Sequence, residues 1–131
     1  MLTSGKRNNT SSVTSIKSFK DETSFDERVV EFSRIRQKFP DRAPVIIERV
    51  SKANCVELDK RKFLVPETLR VHQLLYIIRK RLNLSHEQAL YIYVSNKVLP
   101  MLSDNVGSVY QQYKDEDGFL YIYYDTERTF G

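Results

Sequence analysis

The chain has one cysteine, four glycines and two histidines in 131 residues, and each scarcity removes a class of function. With Cys55 alone, no intramolecular disulfide can form, which fits a reducing, cytoplasmic setting. Cys55 has no histidine near it in sequence and reads as an ordinary loop thiol. The glycines are isolated from one another, so no phosphate-cradling glycine loop exists. His72 and His86 stand without cysteines or carboxylates at ligand spacing, so no metal site is expected. No apolar run approaches the roughly 20 residues that span a bilayer. The polar stretch from Thr3 to Ser12 lacks the apolar region of a signal peptide. Any membrane attachment is therefore expected to be acquired. No catalytic residue and no cofactor is expected, and the protein reads as a non-enzyme.

What is present is charge and aromatic content. Charged residues make up 29% and leave a net +4, enough to suit acidic peptides or anionic surfaces without requiring nucleic acid. Eight tyrosines and seven phenylalanines could stack on bases. Most fall at core-spaced positions and no RNP-like motif accompanies them, so core packing is the better reading and no specific nucleic-acid partner is expected.

The length suits one domain. Residues 1–15, rich in Ser, Thr, Asn and Lys, read as a disordered polar arm whose Lys6 and Arg7, with Lys17, could touch an acidic surface. A short helical turn is expected near Lys17 to Glu22. Ser24 and Glu27 form a capping-box pattern, followed by Phe25, Val29, Phe32, Ile35 and Phe39 at helical spacing until Pro40. After a turn at Asp41 to Pro44, Val45 to Val50 and Leu58 to Val65 read as a strand hairpin around a 51–55 loop, ended by Pro66. Val71, Leu74, Leu75, Ile78 and Leu82 mark a third helix, with Arg79, Lys80 and Arg81 complementing its C-terminal dipole. Ser85 and Gln88 suggest a capped turn. Leu90 to Val94 reads as a strand ending in a turn at Ser95 and Asn96. Asp104 is expected to cap a last helical turn with Val106, Val109 and Tyr110. Asp115 and Asp117 are expected to be solvated in a polar turn before Gly118. Phe119 to Tyr124 reads as a strand buried on both faces. The order after the first two helices is that of ubiquitin-like β-grasp folds: α+β, with a four-stranded mixed sheet and two additional N-terminal helices. The domain is expected over 16–125, with a flexible tail over 126–131.

Two features carry functional meaning. In the second strand, period-two geometry sends Lys60, Lys62 and Leu64 to one side, and Arg61, Phe63 and Val65 to the other. An apolar Leu64 between lysines suits a ligand with an apolar anchor preceded by acids, and an edge strand could pair with an extended peptide. A charged edge that only deters aggregation fits equally well. The second feature is the tail ending on Gly131. Taken alone it reads as a frayed end. A free carboxylate on a residue without Cβ is also what a carboxyl-terminal conjugation tag requires.

Several blocks of the chain resemble the autophagy ubiquitin-like modifiers, the relatives of GABARAP and of microtubule-associated protein light chain three. These are Phe39-Pro40-Asp41-Arg42-Ala43-Pro44-Val45-Ile46-Ile47-Glu48, Leu58-Asp59-Lys60-Arg61-Lys62-Phe63-Leu64-Val65-Pro66, Ile77-Ile78-Arg79-Lys80-Arg81-Leu82, Asp115-Glu116-Asp117-Gly118-Phe119-Leu120-Tyr121 and the ending Thr129-Phe130-Gly131. The similarity runs from about Ser18 to Gly131. It implies that an ATP-dependent activating enzyme and conjugating enzymes act on Gly131, with the chain as acyl donor. The product is an amide on phosphatidylethanolamine at the autophagosome membrane, and a processing and deconjugating cysteine protease belongs to the same system.

The resemblance also implies capture of aromatic-x-x-aliphatic motifs carried by cargo receptors. The aromatic anchor would use Glu31, Ile35, Pro44, Ile46, Lys62, Leu64 and Phe119, with Lys60 nearby. The aliphatic anchor would use Phe63, Val65, Pro66, Leu69, Leu74 and Ile77, and Arg79 would meet acidic residues of the ligand. The chain departs from the pattern at Arg70, where a helix-capping threonine is common. It also mixes features of the two branches: Lys60-Arg61-Lys62 resembles GABARAP, whereas the Phe-Gly end resembles the light chain. A soluble adaptor that binds motif peptides or microtubules without conjugation is the alternative.

Overall fold

The computed structural model describes residues 17–50, 56–95 and 97–127. The expected arm over 1–15, the 51–55 loop with Cys55, Asn96, and the terminal residues with Gly131 lie outside the described residues. The elements are α1 (Phe19–Glu22), α2 (Phe25–Lys38), β1 (Arg42–Arg49), β2 (Lys62–Pro66), α3 (Val71–Leu82), β3 (Ala89–Val94), α4 (Val106–Tyr113) and β4 (Leu120–Glu127). Their order is the expected one.

Local chemistry sets the helix ends. Ser24 Oγ accepts from the Glu27 N–H at 3.1 Å while Glu27 Oε1 accepts from the Ser24 N–H at 2.7 Å, so the capping box starts α2. Phe39 closes the helix by donating to the Ile35 carbonyl, and Pro40 prevents continuation. At the start of α3, Arg70 has no capping oxygen to offer. Its N–H is instead taken by Gln73 Oε1 at 2.9 Å, and the Val71 and His72 N–H groups donate to the Asp104 and Leu102 carbonyls. The absent threonine is thus replaced by a neighbouring loop. Asn83 ends α3 in the left-handed region (φ 57°), which asparagine tolerates.

The sheet order is β2-β1-β4-β3. β1 pairs antiparallel with β2 (Pro44 opposite Leu64, Ile46 opposite Lys62) and parallel with β4 (Val45 opposite Leu120). β3 pairs antiparallel with β4. Pro44 is tolerated inside this central strand because the β4 register begins only at Val45. Alternation along the strands gives two faces. Ala43, Val45, Ile47, Val65, Leu120, Ile122 and Tyr124 face α3 and α4 in the main core. Ile46, Phe119 and Tyr121 face the other way and pack with Phe19 of α1, flanked by Phe32 and Ile35 of α2.

The structure corrects several expectations. β2 is shorter than Leu58 to Val65, because the residues before Lys62 are held by side chains instead of by the β1 ladder. The Leu58 N–H donates to the Tyr124 hydroxyl at 2.9 Å, and Asp59 pairs with Arg81. The hairpin survives through the Ile47 N–H bond to the Arg61 carbonyl at 2.8 Å. Asn105, not Asp104, stands at the N-cap of α4, and it makes no side-chain cap bond. β4 runs through Glu127, so Thr126 and Glu127, expected in the tail, pair with Leu90 and Ala89. Asp117, expected to be solvated, is 1% exposed.

Candidate functional site

β2 is an edge strand, paired only with β1, so its outer backbone groups face away from the sheet. From Lys62 to Val65 the alternation is as expected. Val65 enters the main core at 4% exposure, while Lys62 turns to the α1/α2 face. At Arg61 it fails. Arg61 reaches the α1 side, pairing with Glu22 and with Glu48 (3.3 Å) and donating to the Lys17 carbonyl. Lys60 holds its ammonium 4.9 Å from the Phe63 ring centre. Arg61 precedes the regular strand, so pleat geometry does not bind it, while Lys60 lines one cavity with Lys62 and Leu64.

Between this edge and α2 lies a cavity of about 410 Å³ lined by Ile35, Pro44, Val45, Lys60, Lys62, Phe63, Leu64 and Phe119. Phe119, 1% exposed, packs edge-on against Phe19 (5.6 Å between ring centres) and Phe32 (6.2 Å). The cavity thus combines apolar side chains with two lysines, and suits a hydrophobic side chain that carries neighbouring negative charge.

A buried polar cluster holds the wall against the sheet. Asp117 accepts from Arg28 Nε (2.8 Å), from the Tyr121 hydroxyl (2.6 Å) and from the Phe119 N–H (2.8 Å). Arg28 also donates to the Thr23 carbonyl at 2.8 Å, so one guanidinium ties the end of α1, the start of α2 and the entry to β4. Burial, then the hydrogen bond to Asp117, pushes the Tyr121 hydroxyl well above its usual range. Lys20 pairs with Asp115 at 2.8 Å and sits 4.6 Å from the Tyr121 ring centre. Burial alone would raise the Asp115 carboxyl. The hydrogen bonds from Lys20 and from the Asp117 N–H outweigh it and hold the group below its usual value. Gly118 completes the corner. Its φ is +101°, and a Cβ there would lie 2.4 Å from the Phe32 ring, so both conformation and space require glycine.

Of the residues expected around an aromatic anchor, Ile35, Pro44, Lys60, Lys62, Leu64 and Phe119 line the cavity together. Ile46 lies beneath, fully buried. Glu31 is tied to Lys62, its Oε2 being 2.7 Å from Nζ. Val45 and Phe63 also line the cavity, the first unassigned in the sequence reading and the second assigned to the aliphatic anchor. Of the residues expected around that anchor, Val65 and Leu74 are already packed in the core. Phe63 and Leu69 lean on the core half-buried, while Pro66 and Ile77 are exposed. Arg79 donates to the Ser85 carbonyl at 3.1 Å, beyond the C-terminal end of α3. Among the described residues no cluster of His, Cys, Asp and Glu could hold a metal, and no helix is long and apolar enough to cross a membrane.

The sequence profile of the family described as "Autophagy protein Atg8 ubiquitin like" matches residues 27–131. Autophagy-related protein 8 of Pichia angusta is 54% identical over 113 residues, covering 86% of this chain and 90% of the relative. The protein of the same name from Aspergillus niger is 52% identical, covering 86% of this chain and 95% of the relative. Among solved structures, the crystal structure of Trypanosoma brucei ATG8 superposes with a TM-score of 0.79 at 40% identity, covering 89% of this chain and 100% of that one.

Proposed function

Because the chain belongs to the Atg8 family of ubiquitin-like autophagy proteins, we propose that it is a modifier joined through Gly131 to phosphatidylethanolamine on autophagosomal membranes, where it recruits cargo receptors bearing aromatic-x-x-aliphatic motifs. The observation that carries the recruiting half is the 410 Å³ cavity beside the edge strand β2, lined by apolar side chains together with Lys60 and Lys62. An extended peptide can add a strand to that edge, insert its aromatic residue beside Leu64 and Phe119, and set its acids against the lysines. The aliphatic anchor would then fall further along β2, over Phe63, Pro66, Leu69 and Ile77, with Val65 and Leu74 as the floor beneath. Arg79 would meet ligand acids at the far end.

The conjugating half rests on the family match, which includes Thr129-Phe130-Gly131. Activating and conjugating enzymes would supply the chemistry, and a cysteine protease the processing and release. An amide to a two-chain lipid would anchor the domain where one acyl chain would hold it only marginally. The test is a lipidation assay with the family's activating and conjugating enzymes, ATP and liposomes containing phosphatidylethanolamine. A lipid-sized mass increase in the unaltered protein, absent in Gly131→Ala, is expected. No adduct in either, with enzymes active on a control substrate, would leave the soluble adaptor of motif peptides or microtubules as the better reading.

A further inference from the structure

The two lysines of the cavity are not equivalent. Lys60 makes no ion pair among the described residues, and its ammonium lies over the Phe63 ring. Lys62 is occupied: its Nζ donates to Glu31 Oε2 at 2.7 Å. Within that pair the carboxylate is the sheltered member, its side chain 22% exposed against 51% for the lysine. Glu31 sits on α2, whose backbone is fixed at its start by the capping box, so the carboxylate is presented from a rigid element. Away from Lys62, Glu31 also lines a separate depression of about 340 Å³ on α2, with Asp26, Glu27, Val30 and Arg34.

We propose that Glu31 is a specificity-determining residue of this groove, an internal carboxylate that masks Lys62 and that an acidic ligand must displace or tolerate. The inference rests on the reading of the cavity as a peptide-motif site and adds to it a ranking of the cations. Lys60 receives the first acid of the ligand. Lys62 becomes available only against the competition of Glu31. The internal pair therefore tempers a preference for acidic ligands that the two lysines alone would make stronger.

The test is a titration of the full chain at low salt with two peptides sharing one Trp-x-x-Leu core, one preceded by glutamates and one by serines, plus a scrambled control. Glu31→Gln keeps the size of the side chain and removes its charge. It is expected to tighten the glutamate peptide by roughly three- to fivefold, the scale of a partly exposed ion pair, and the serine peptide by clearly less. In a Lys62→Met background the same substitution should give no such selective gain. Unchanged or weaker binding of the glutamate peptide by Glu31→Gln, or a gain that persists without Lys62, overturns the masking role while leaving the peptide site intact. Binding of neither core-bearing peptide above the scrambled control overturns the peptide site and this inference with it.

Discussion

Between the sheet and α3 and α4 seventeen apolar side chains are buried among the described residues, whereas between the sheet and α1 and α2 four are: Phe19, Ile46, Phe119 and Tyr121. The second face makes up the difference with charge. Arg28–Asp117, Lys20–Asp115, Arg61 with Glu22 and Glu48, and Lys62–Glu31 all lie on it. The first face asks only for apolar residues of suitable volume at the right period, since burial is non-directional. The second asks for particular partners in particular places, because a buried charge without its partner is costly. An incompletely covered face is also where a cavity can stay open, and the candidate site lies there.

The comparison can be broken most forcefully at Asp117. Asp117→Ala leaves the Arg28 guanidinium buried and unpaired and is expected to cost about 3–5 kcal/mol in urea unfolding. Hydrogen exchange should quicken in α1 and α2 more than in α3. A loss confined to α3 would mean that the two faces do not separate as described. On the apolar face, Ile78→Ala is expected to cost about 2–5 kcal/mol with almost no dependence on salt. A strong salt dependence there would erase the contrast.

Leu64→Ala, at the boundary between fold and site, should weaken a Trp-x-x-Leu peptide by at most about 3 kcal/mol. It should barely move the unfolding midpoint, because Leu64 is only half-buried. Unaltered affinity would remove Leu64 from the site.

The smallest effect concerns acid. The Asp115 carboxyl is held below its ordinary value of 3.8 in the folded chain. Its contribution is complete above that unfolded value and is lost as pH falls through the lower folded one. Lys20→Met should flatten this part of the stability curve below about pH 4. An unchanged acid limb would show that the Lys20 pair contributes nothing measurable, as some exposed pairs do.

The apolar face was legible in the sequence because its signals are local and periodic. Val71, Leu74, Ile78 and Leu82 mark α3 by spacing alone, and all four are buried. Ser24 and Glu27 marked the start of α2 in the same way. The charged face was less legible. Asp117 looked like part of a polar turn because its partner, Arg28, lies 89 residues away in sequence. Period-two geometry put Arg61 with Phe63 because nothing nearby signals that the strand begins only at Lys62, or that Glu22 and Glu48 would draw Arg61 across. Thr126 and Glu127 read as tail because polar residues at a strand end look like a loop until their pairing with β3 is known. The cavity residues were named through family resemblance. Alternation alone grouped Leu64 with Lys62 but could not bring in Ile35 or Phe119 from distant elements.

The parallel pairing of β1 and β4 gives the molecule a polarity. Pro44 and Phe119, at the cavity, lie where these two strands begin. The last described residue, Glu127, lies at the opposite end of β4. At about 3.3 Å per residue the strand separates it from the cavity by roughly 25 Å. Under the proposed attachment beyond Glu127, β4 is a post of that length between the place where the chain leaves the described fold and the groove.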